Sequence, residues 1–156
     1  MALERWVAGQ NTALAWVNAF TASTLGSLAN GNAILSDLTI SNDFIGDMFA
    51  DLSIQLGTAA FVLPAFVGVY LYPSNTYNST WGDGRFVAAA AGPPPSCYWV
   101  GDINLVAANQ VQNGSLLRIP LPPGQFNFVL YNQGGVTWAA SSGNSCQFRT
   151  YNLQLV

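Results

Sequence analysis

Apolar and polar residues alternate along the middle of the chain with the period of two that is typical of β-strands. Residues 48–56 carry apolar side chains at every second position, with mostly polar side chains between them. Residues 34–40 follow the same alternation, except that Ser36 stands in the apolar set. The run 66–72 is apolar at both sets of alternating positions, as expected of a central strand that is covered on both faces. These segments predict the first strands of a layered β-structure.

The C-terminal half shows the same pattern in shorter segments. Alternation or apolar content predicts strands within 98–107, 117–121, 126–130 and 146–156, and a short strand at 136–140. Turns rich in Gly, Pro and Asn separate these segments. A series of about eight short strands predicts an all-β fold, a β-sandwich with a jelly-roll-like layout.

The first 33 residues differ, because their large side chains are widely spaced among Ala, Asn, Thr, Ser and Gly. The turn Asn30-Gly31-Asn32 argues against one long helix, so that a short helix around 12–20 and an extended segment both fit. We therefore predict an extended N-terminal arm at 1–33 and a β-sandwich domain at 34–156. Such an arm cannot bury its own aromatic side chains, which we expect to pack on another chain: Trp6, Trp16 and Phe20.

A long connection at 73–97 is rich in turn residues and contains Trp81. Connections of this length are usually functional or held against another surface. We therefore add Trp81 to the candidate assembly-interface residues. The alternative interpretation is a sugar-stacking platform formed by Trp81 with nearby tyrosines, because aromatic rings serve both purposes.

The composition changes the picture, since only 7% of the 156 residues are charged while 51% are hydrophobic. An ordinary soluble domain has roughly a quarter of its residues charged. A protein that stays single keeps its surface charged and free of large apolar patches, or else it associates. We therefore expect a chain that assembles into a closed homo-oligomer.

The same scarcity of charge argues against several functions. Nucleic acid binding uses Lys and Arg to displace counterions, and this chain has four such residues in total. Nucleophilic catalysis needs a nearby base, usually His, and there is none. The longest apolar run, 59–72, is interrupted by Pro64 and Gly68 and is shorter than the ~20 residues of a membrane span. We predict a non-enzymatic protein with no cofactor and with neither nucleic acid nor a membrane as partner.

Acidic residues and cysteines add little chemistry. Asp43, Asp47 and Asp51 are spaced by four, which would place like charges on one helical face, so a strand with the Asp51 carboxylate on the solvent side is the preferred interpretation. Calcium needs several oxygen ligands brought together, and the EF-hand spacing is absent, so we predict no metal site. Cys97 and Cys146 are interpreted as free thiols, although spacing alone leaves a disulfide open.

The C-terminal half contains the run Arg118-Ile-Pro-Leu-Pro-Pro-Gly-Gln-Phe-Asn-Phe-Val-Leu-Tyr-Asn132. This run resembles the last strands of head decoration proteins, which are small structural proteins of tailed-phage virions. Further similar segments are 30–32, 51–57, 70–73, 82–84, 139–144 and 149–152. The resemblance implies a β-sandwich cement protein, often trimeric, that sits on the capsid surface of the virion with the major capsid protein as its partner.

Capsid decoration is therefore the leading functional hypothesis. The alternatives are a carbohydrate- or receptor-binding β-sandwich of the fibre or lectin type, and a main capsid subunit with a jelly-roll fold. The N-terminus lacks the basic start and apolar stretch of a signal peptide, so we expect synthesis in the host cytoplasm.

Overall fold

Strands form nearly all of the regular structure in the computed structural model, which describes residues 4–8, 15–42, 46–74, 90–93, 96–140 and 143–155. A single short helix, α1, spans Ala22–Leu25 within these ranges. The strands are β1 Glu4–Ala8, β2 Val17–Phe20, β3 Asn32–Leu35, β4 Ile40–Ser41, β5 Phe49–Ala59, β6 Ala65–Ser74, β7 Ala90–Ala91, β8 Tyr98–Leu105, β9 Gln110–Pro120, β10 Gln125–Gln133 and β11 Ser145–Leu155. In the same part of the chain, no helix is long and apolar enough to cross a membrane.

The strands form two antiparallel sheets. In the β5 sheet, β1 and β2 pair one after the other with the same side of β11, and β5 and then β9 follow on its other side. In the β6 sheet the order is β7, β3, β10, β6 and β8, with β4 also beside β10. Each sheet therefore combines strands from distant parts of the chain.

The pairing is nested in the way that defines a jelly roll. β2 pairs with β11, β3 and β4 pair with β10, β5 pairs with β9, and β6 pairs with β8. The chain thus behaves as one long antiparallel hairpin that is rolled into two packed sheets. The predicted all-β, jelly-roll-like sandwich is confirmed.

The core lies between the two sheets and follows the predicted alternation. On β5, Ala50, Leu52, Ile54 and Leu56 are buried, whereas Gln55 on the opposite face is exposed. Inward-facing side chains of β6 and β10 complete the main cluster from the other sheet. Removing these side chains from water is the main driving force for packing the sheets together.

The central strand β6 is apolar on both faces, as predicted. Its inward residues belong to the main core, whereas Tyr72 on the outer face is buried with Ala33 and Val129 in a second cluster. Cys97 packs against this outer cluster, and Cys146 is buried in the main core. Both thiols are free, which settles the disulfide that the spacing left open. Burial raises the pKa of the Cys146 thiol well above its ordinary value.

The predicted boundary at residue 33 is wrong, because much of the segment before it belongs to the sandwich. β2 pairs with β11, and Phe20 is only 2% exposed in the main core, where Leu25 and Leu28 are also buried. The helical turn falls at α1, where the Thr21 side chain accepts a hydrogen bond from the backbone N–H of Thr24 at 3.2 Å, the usual N-cap contact. The short strand predicted at 136–140 is also wrong, since this segment is irregular and buries Trp138.

Candidate assembly interface

One side of the sandwich ends in two long edge strands, β8 and β9, which we call the open edge. β8 pairs with β6 and β9 pairs with β5, and within the described ranges no other strand pairs with either of them. Edge strands present unpaired backbone N–H and C=O groups on their outer side. The open edge therefore offers hydrogen-bonding groups as well as side chains to a partner.

Small residues facing large ones hold the two edge strands together. A Cβ atom at Gly114 of β9 would collide with Cγ2 of Ile103 on β8, so the glycine makes room for the isoleucine. In the reverse sense, a Cβ at Gly101 of β8 would lie 3.1 Å from Cδ1 of Leu116 on β9. This interlock closes the core at the open edge and fixes the position of β8 relative to β9.

A buried glutamine fixes the turn that joins β8 to β9. The Gln112 side-chain oxygen accepts hydrogen bonds from the backbone N–H groups of Val106 at 3.0 Å and Ala107 at 3.3 Å. Its side-chain nitrogen donates to the carbonyl oxygen of Ala107 at 2.9 Å. The amide thereby satisfies backbone groups that the turn itself leaves unpaired.

A buried carboxylate shapes the edge strand β9. Asp51 is almost completely buried on the outer face of the β5 sheet, where its Oδ1 atom accepts from the backbone N–H of Arg118 at 2.9 Å and from the Tyr151 hydroxyl at 3.0 Å. Its Oδ2 atom accepts from Nε and Nη2 of Arg149 at 3.0 and 2.9 Å. The expectation that this carboxylate faces solvent is wrong, because Arg149 and Tyr151 cover it.

The Arg118 contact holds a β-bulge. Two residues of β9 occupy the space opposite Asp51, and Arg118 has a φ of 58°, a left-handed conformation that is uncommon for a residue with a side chain. The hydrogen bond from its N–H to Asp51 stabilises this conformation. Because the bulge adds one residue between Leu116 and Ile119, both of these side chains point inward. Leu117, between them, is 63% exposed.

The ring of Trp16 shields the polar network from outside. The guanidinium carbon of Arg149 lies 4.7 Å from the centre of the Trp16 ring, a cation–π distance. The ring of Tyr151 stacks on Phe49 with centres 5.9 Å apart. Burial and the hydrogen bond to Asp51 raise the pKa of Tyr151 to about 12, so its hydroxyl remains a proton donor at neutral pH. These contacts are typical of a structural network.

A second bulge, in β8, exposes two aromatic side chains. Val69 pairs with Gly101 but Tyr70 pairs with Trp99, so one residue of β8 is skipped between them. Trp99 consequently faces outward, 61% exposed, and its Nε1 donates to Oδ1 of Asp102 at 3.1 Å. Tyr98 is 62% exposed. An open groove of about 490 Å³ lies beside both rings and is completed by Leu71, Val100, Pro120, Leu121 and Pro122.

A smaller exposed apolar set lies at the end of the sandwich where β5 turns into β6, and we call it the loop end. Val62 and Leu63 are exposed there, and the N–H of Val62 donates to the carbonyl of Gly134 at 3.0 Å. Val106, in the β8–β9 turn, is also exposed. Because the backbone N–H of Asn109, in the same turn, donates to the carbonyl oxygen of Ala59 at 2.8 Å, this turn belongs to the same end.

The sequence-predicted interface residues do not form one surface among the described residues. Phe20 is buried in the core, whereas Trp16 is 39% exposed at the side opposite the open edge, beside Arg149. The backbone of Trp6 lies in β1 opposite Leu153 of the same chain, and its side chain lies outside the described part. Trp81 lies outside the described residues altogether.

Sequence reasoning missed the aromatic residues of the open edge. Uninterrupted alternation within 98–107 predicts that Trp99 shares the buried face of Ile103 and Leu105, but the bulge turns Trp99 outward. The one signal in the sequence was Gly101, since a glycine inside a strand often marks a bulge.

The described residues contain no cluster of metal-ligating side chains. In these ranges, no three His, Cys, Asp or Glu side chains are close enough to hold a metal ion. The side chain of Asn42 binds the backbone of its own loop, since its oxygen accepts from the N–H of Asp47 at 2.9 Å and its nitrogen donates to the carbonyl oxygen of Asp47 at 3.0 Å.

Comparisons with models of protein families, with curated proteins and with solved structures found no match to this chain. Its function is therefore argued from its own surface.

Proposed function

We propose that this protein is a non-enzymatic structural protein of a phage virion, a decoration protein that binds the assembled head and stabilises it. The observation that carries the proposal is the open edge, where Tyr98 and Trp99 are each more than 60% exposed beside one apolar groove, in a chain with only 7% charged residues. Contiguous exposed apolar surface typically marks an interaction site. The partners in this proposal are the major capsid protein and further copies of the chain, as a trimer.

The nature of the groove supports a protein partner. Aromatic residues are enriched in the buried centres of protein interfaces, whereas charged residues are depleted there. Tyr98 and Trp99 stand beside a groove that is otherwise lined by aliphatic and proline side chains. A capsid loop with an apolar side chain would fill this groove and remove both rings from water, at roughly 25 cal/mol per Å² of apolar surface before the entropy of association is subtracted.

A second candidate function, glycan binding, is favoured by the outer face of the β5 sheet. Ser53, Gln55 and Asn113 lie on this face, where the cross-strand pairs of β5 and β9 place them side by side. Nearby, the Gln147 side chain donates to Oδ1 of Asn18 at 2.9 Å. Amide and hydroxyl groups of this kind can exchange hydrogen bonds with sugar hydroxyls.

The test uses phage heads that lack this protein and adds it back. Saturating protein should raise the temperature at which heads break, because a ligand that binds only the assembled state stabilises it by about 2.7 kcal/mol at a hundred times its Kd. Binding should change little with salt, since few ion pairs are available for screening. Heads that break at the same temperature with and without saturating protein would contradict the proposal.

Two matched tryptophan variants locate the contact. We expect Trp99→Ala to weaken head binding at least tenfold, because truncating a central tryptophan of an interface typically costs about 2 kcal/mol or more. Trp16→Ala removes an aromatic ring from the opposite side and should leave binding unchanged. If Trp16→Ala abolishes binding and Trp99→Ala does not, the contact lies near the N-terminal segment. Glycan binding with no effect on heads would favour the second candidate.

A further inference from the structure

We infer that the unpaired edge of β9 pairs with the same edge of β9 in a second copy. The two strands run antiparallel about a two-fold axis at Gly114. The inference concerns self-association only and does not depend on the proposed role in a virion. It rests on the unpaired side of an 11-residue strand, on the pattern of its side chains and on its lack of charge.

The backbone of β9 is suited to strand addition. Alternate residues of an antiparallel strand point their N–H and C=O groups to opposite sides, so while one set bonds to β5 the other set faces outward. No described strand takes up this outward set. Long, exposed edges are usually blunted by charged side chains, by Pro or by shortness. The stretch 110–117 has neither a charged residue nor a proline.

The side chains of β9 are complementary to those of a second, antiparallel copy of the strand. Its outer-face residues read Val111, Asn113, Ser115 and Leu117, that is apolar, polar, polar and apolar, and they are centred on Gly114. In an antiparallel pair centred there, Val111 lies opposite Leu117 of the second copy, and Asn113 lies opposite Ser115. Residues that are directly opposite in such a pair face the same side, so like meets like on both halves. A two-fold contact requires this self-complementarity.

The charge pattern also favours a second copy. Two identical surfaces normally bring like charges together, which is destabilising when the charges are directly opposite. Since 110–117 is uncharged, two copies of β9 meet without this repulsion. The glycine at the centre has no side chain of its own, and its inner face is filled by Ile103 of the same chain.

The available area sets the strength of this dimer. Seven paired residues extend about 24 Å at about 3.4 Å per residue, and a two-layer sandwich with its outer side chains is about 20 Å thick. These dimensions give about 500 Å² per copy and about 1,000 Å² in total, the lower limit for a specific interface. We therefore expect a reversible dimer at the weak end of specific association.

A charge pair at the predicted register tests the inference. The double substitution Asn113→Lys with Ser115→Lys places a positive charge opposite a positive charge twice across the axis and should abolish self-association. The control, Asn113→Asp with Ser115→Lys, places opposite charges across the axis and should restore it. Mass is measured by sedimentation from about 1 µM to about 1 mM, which spans weak association. Circular dichroism and the denaturant midpoint verify the fold of each variant.

We expect the wild-type mass to rise with concentration to an even multiple of the chain mass, twice it for a simple dimer or six times it for two trimers joined. A wild-type chain that stays monomeric, a lone trimer, or an oligomer that the two-lysine substitution leaves intact would overturn the inference. Hydrogen exchange on the wild type adds a test that needs no variant, since the outward amides within 111–117 should exchange more slowly as concentration rises. Failure to bind phage heads would leave these results unchanged, so the two proposals fail separately.

Discussion

The two sides of the sandwich differ in whether their long strands are covered by short edge strands. At the side formed by the N-terminal segment, short strands cover the long ones: β1 and β2 have five and four residues, and β4 and β7 have two each. At the open edge, β8 and β9 have eight and eleven residues and no described neighbour beyond them. Short edge strands protect against further pairing, whereas a long unpaired strand invites it.

The side chains follow the same division. At the covered side, Phe20 points into the core and the ring of Trp16 stacks against Arg149. Both aromatic side chains therefore make contacts within the chain. At the open edge, Tyr98, Trp99 and Leu117 are each more than 60% exposed. The side that lacks covering strands is therefore the side on which both proposed contacts are made.

The largest expected effect tests the covered side. Phe20→Ala should lower the free energy of unfolding by about 3–5 kcal/mol, because it empties a fully packed core position. Leu117→Ala at the open edge, where the side chain is exposed, should change the free energy by no more than about 0.5 kcal/mol. Urea denaturation of both variants measures the contrast. Similar values for the two would mean that β2 is not part of the core.

A smaller effect is expected at the network that connects the two sides. Asp51→Ala leaves the Tyr151 hydroxyl and the N–H of Arg118 without their buried acceptor, while Arg149 can recover water, so we expect a loss of about 3 kcal/mol. Asp102→Ala, an exposed acid on β8, is the control and should cost no more than about 0.5 kcal/mol. Denaturant midpoints measure both. If Asp51→Ala is as mild as its control, the network does not stabilise the bulge of β9.

The smallest effect is a dependence on alkaline pH. The folded state holds the Tyr151 proton up to a pKa of about 12, whereas a free tyrosine releases it near 10.0. The folded state therefore binds more protons between these values, so this contribution to stability is complete below pH 10 and is lost as the pH rises to about 12. Unfolding free energies measured across that range for wild type and Tyr151→Phe provide the test. If the unfolding free energy of Tyr151→Phe falls by the same amount over this range, groups other than Tyr151 cause the fall.

Residues 48–56 show which structural features the sequence alone can predict. The alternation there was enough to predict a strand, its buried face and its place in a sandwich, and β5 has the expected inward side chains. The same segment shows where the sequence fails, because Asp51 lies on the predicted outer face but is buried by Arg149 and Tyr151, 98 and 100 residues away. No local pattern contains those partners.

The N-terminal segment and the open edge were misjudged for related reasons. Phe20 looked isolated because its neighbours in the core come from other strands, and the pairing of β2 with β11 joins the two ends of the chain. Trp99 looked buried because alternation assumes an uninterrupted strand, and one skipped residue beside Gly101 reverses every side chain beyond it.

The sequence by itself determined the all-β class, the two-layer core and the low charge content of the chain, since these depend on periodicity and composition. Only the tertiary structure decided which edge is covered, which aromatic residues are exposed and which side chains cover the buried carboxylate of Asp51. The physical reason is that strand pairing and bulges arise between segments far apart in the chain. A shift of one residue in a strand, which leaves the composition unchanged, exchanges the buried and exposed faces.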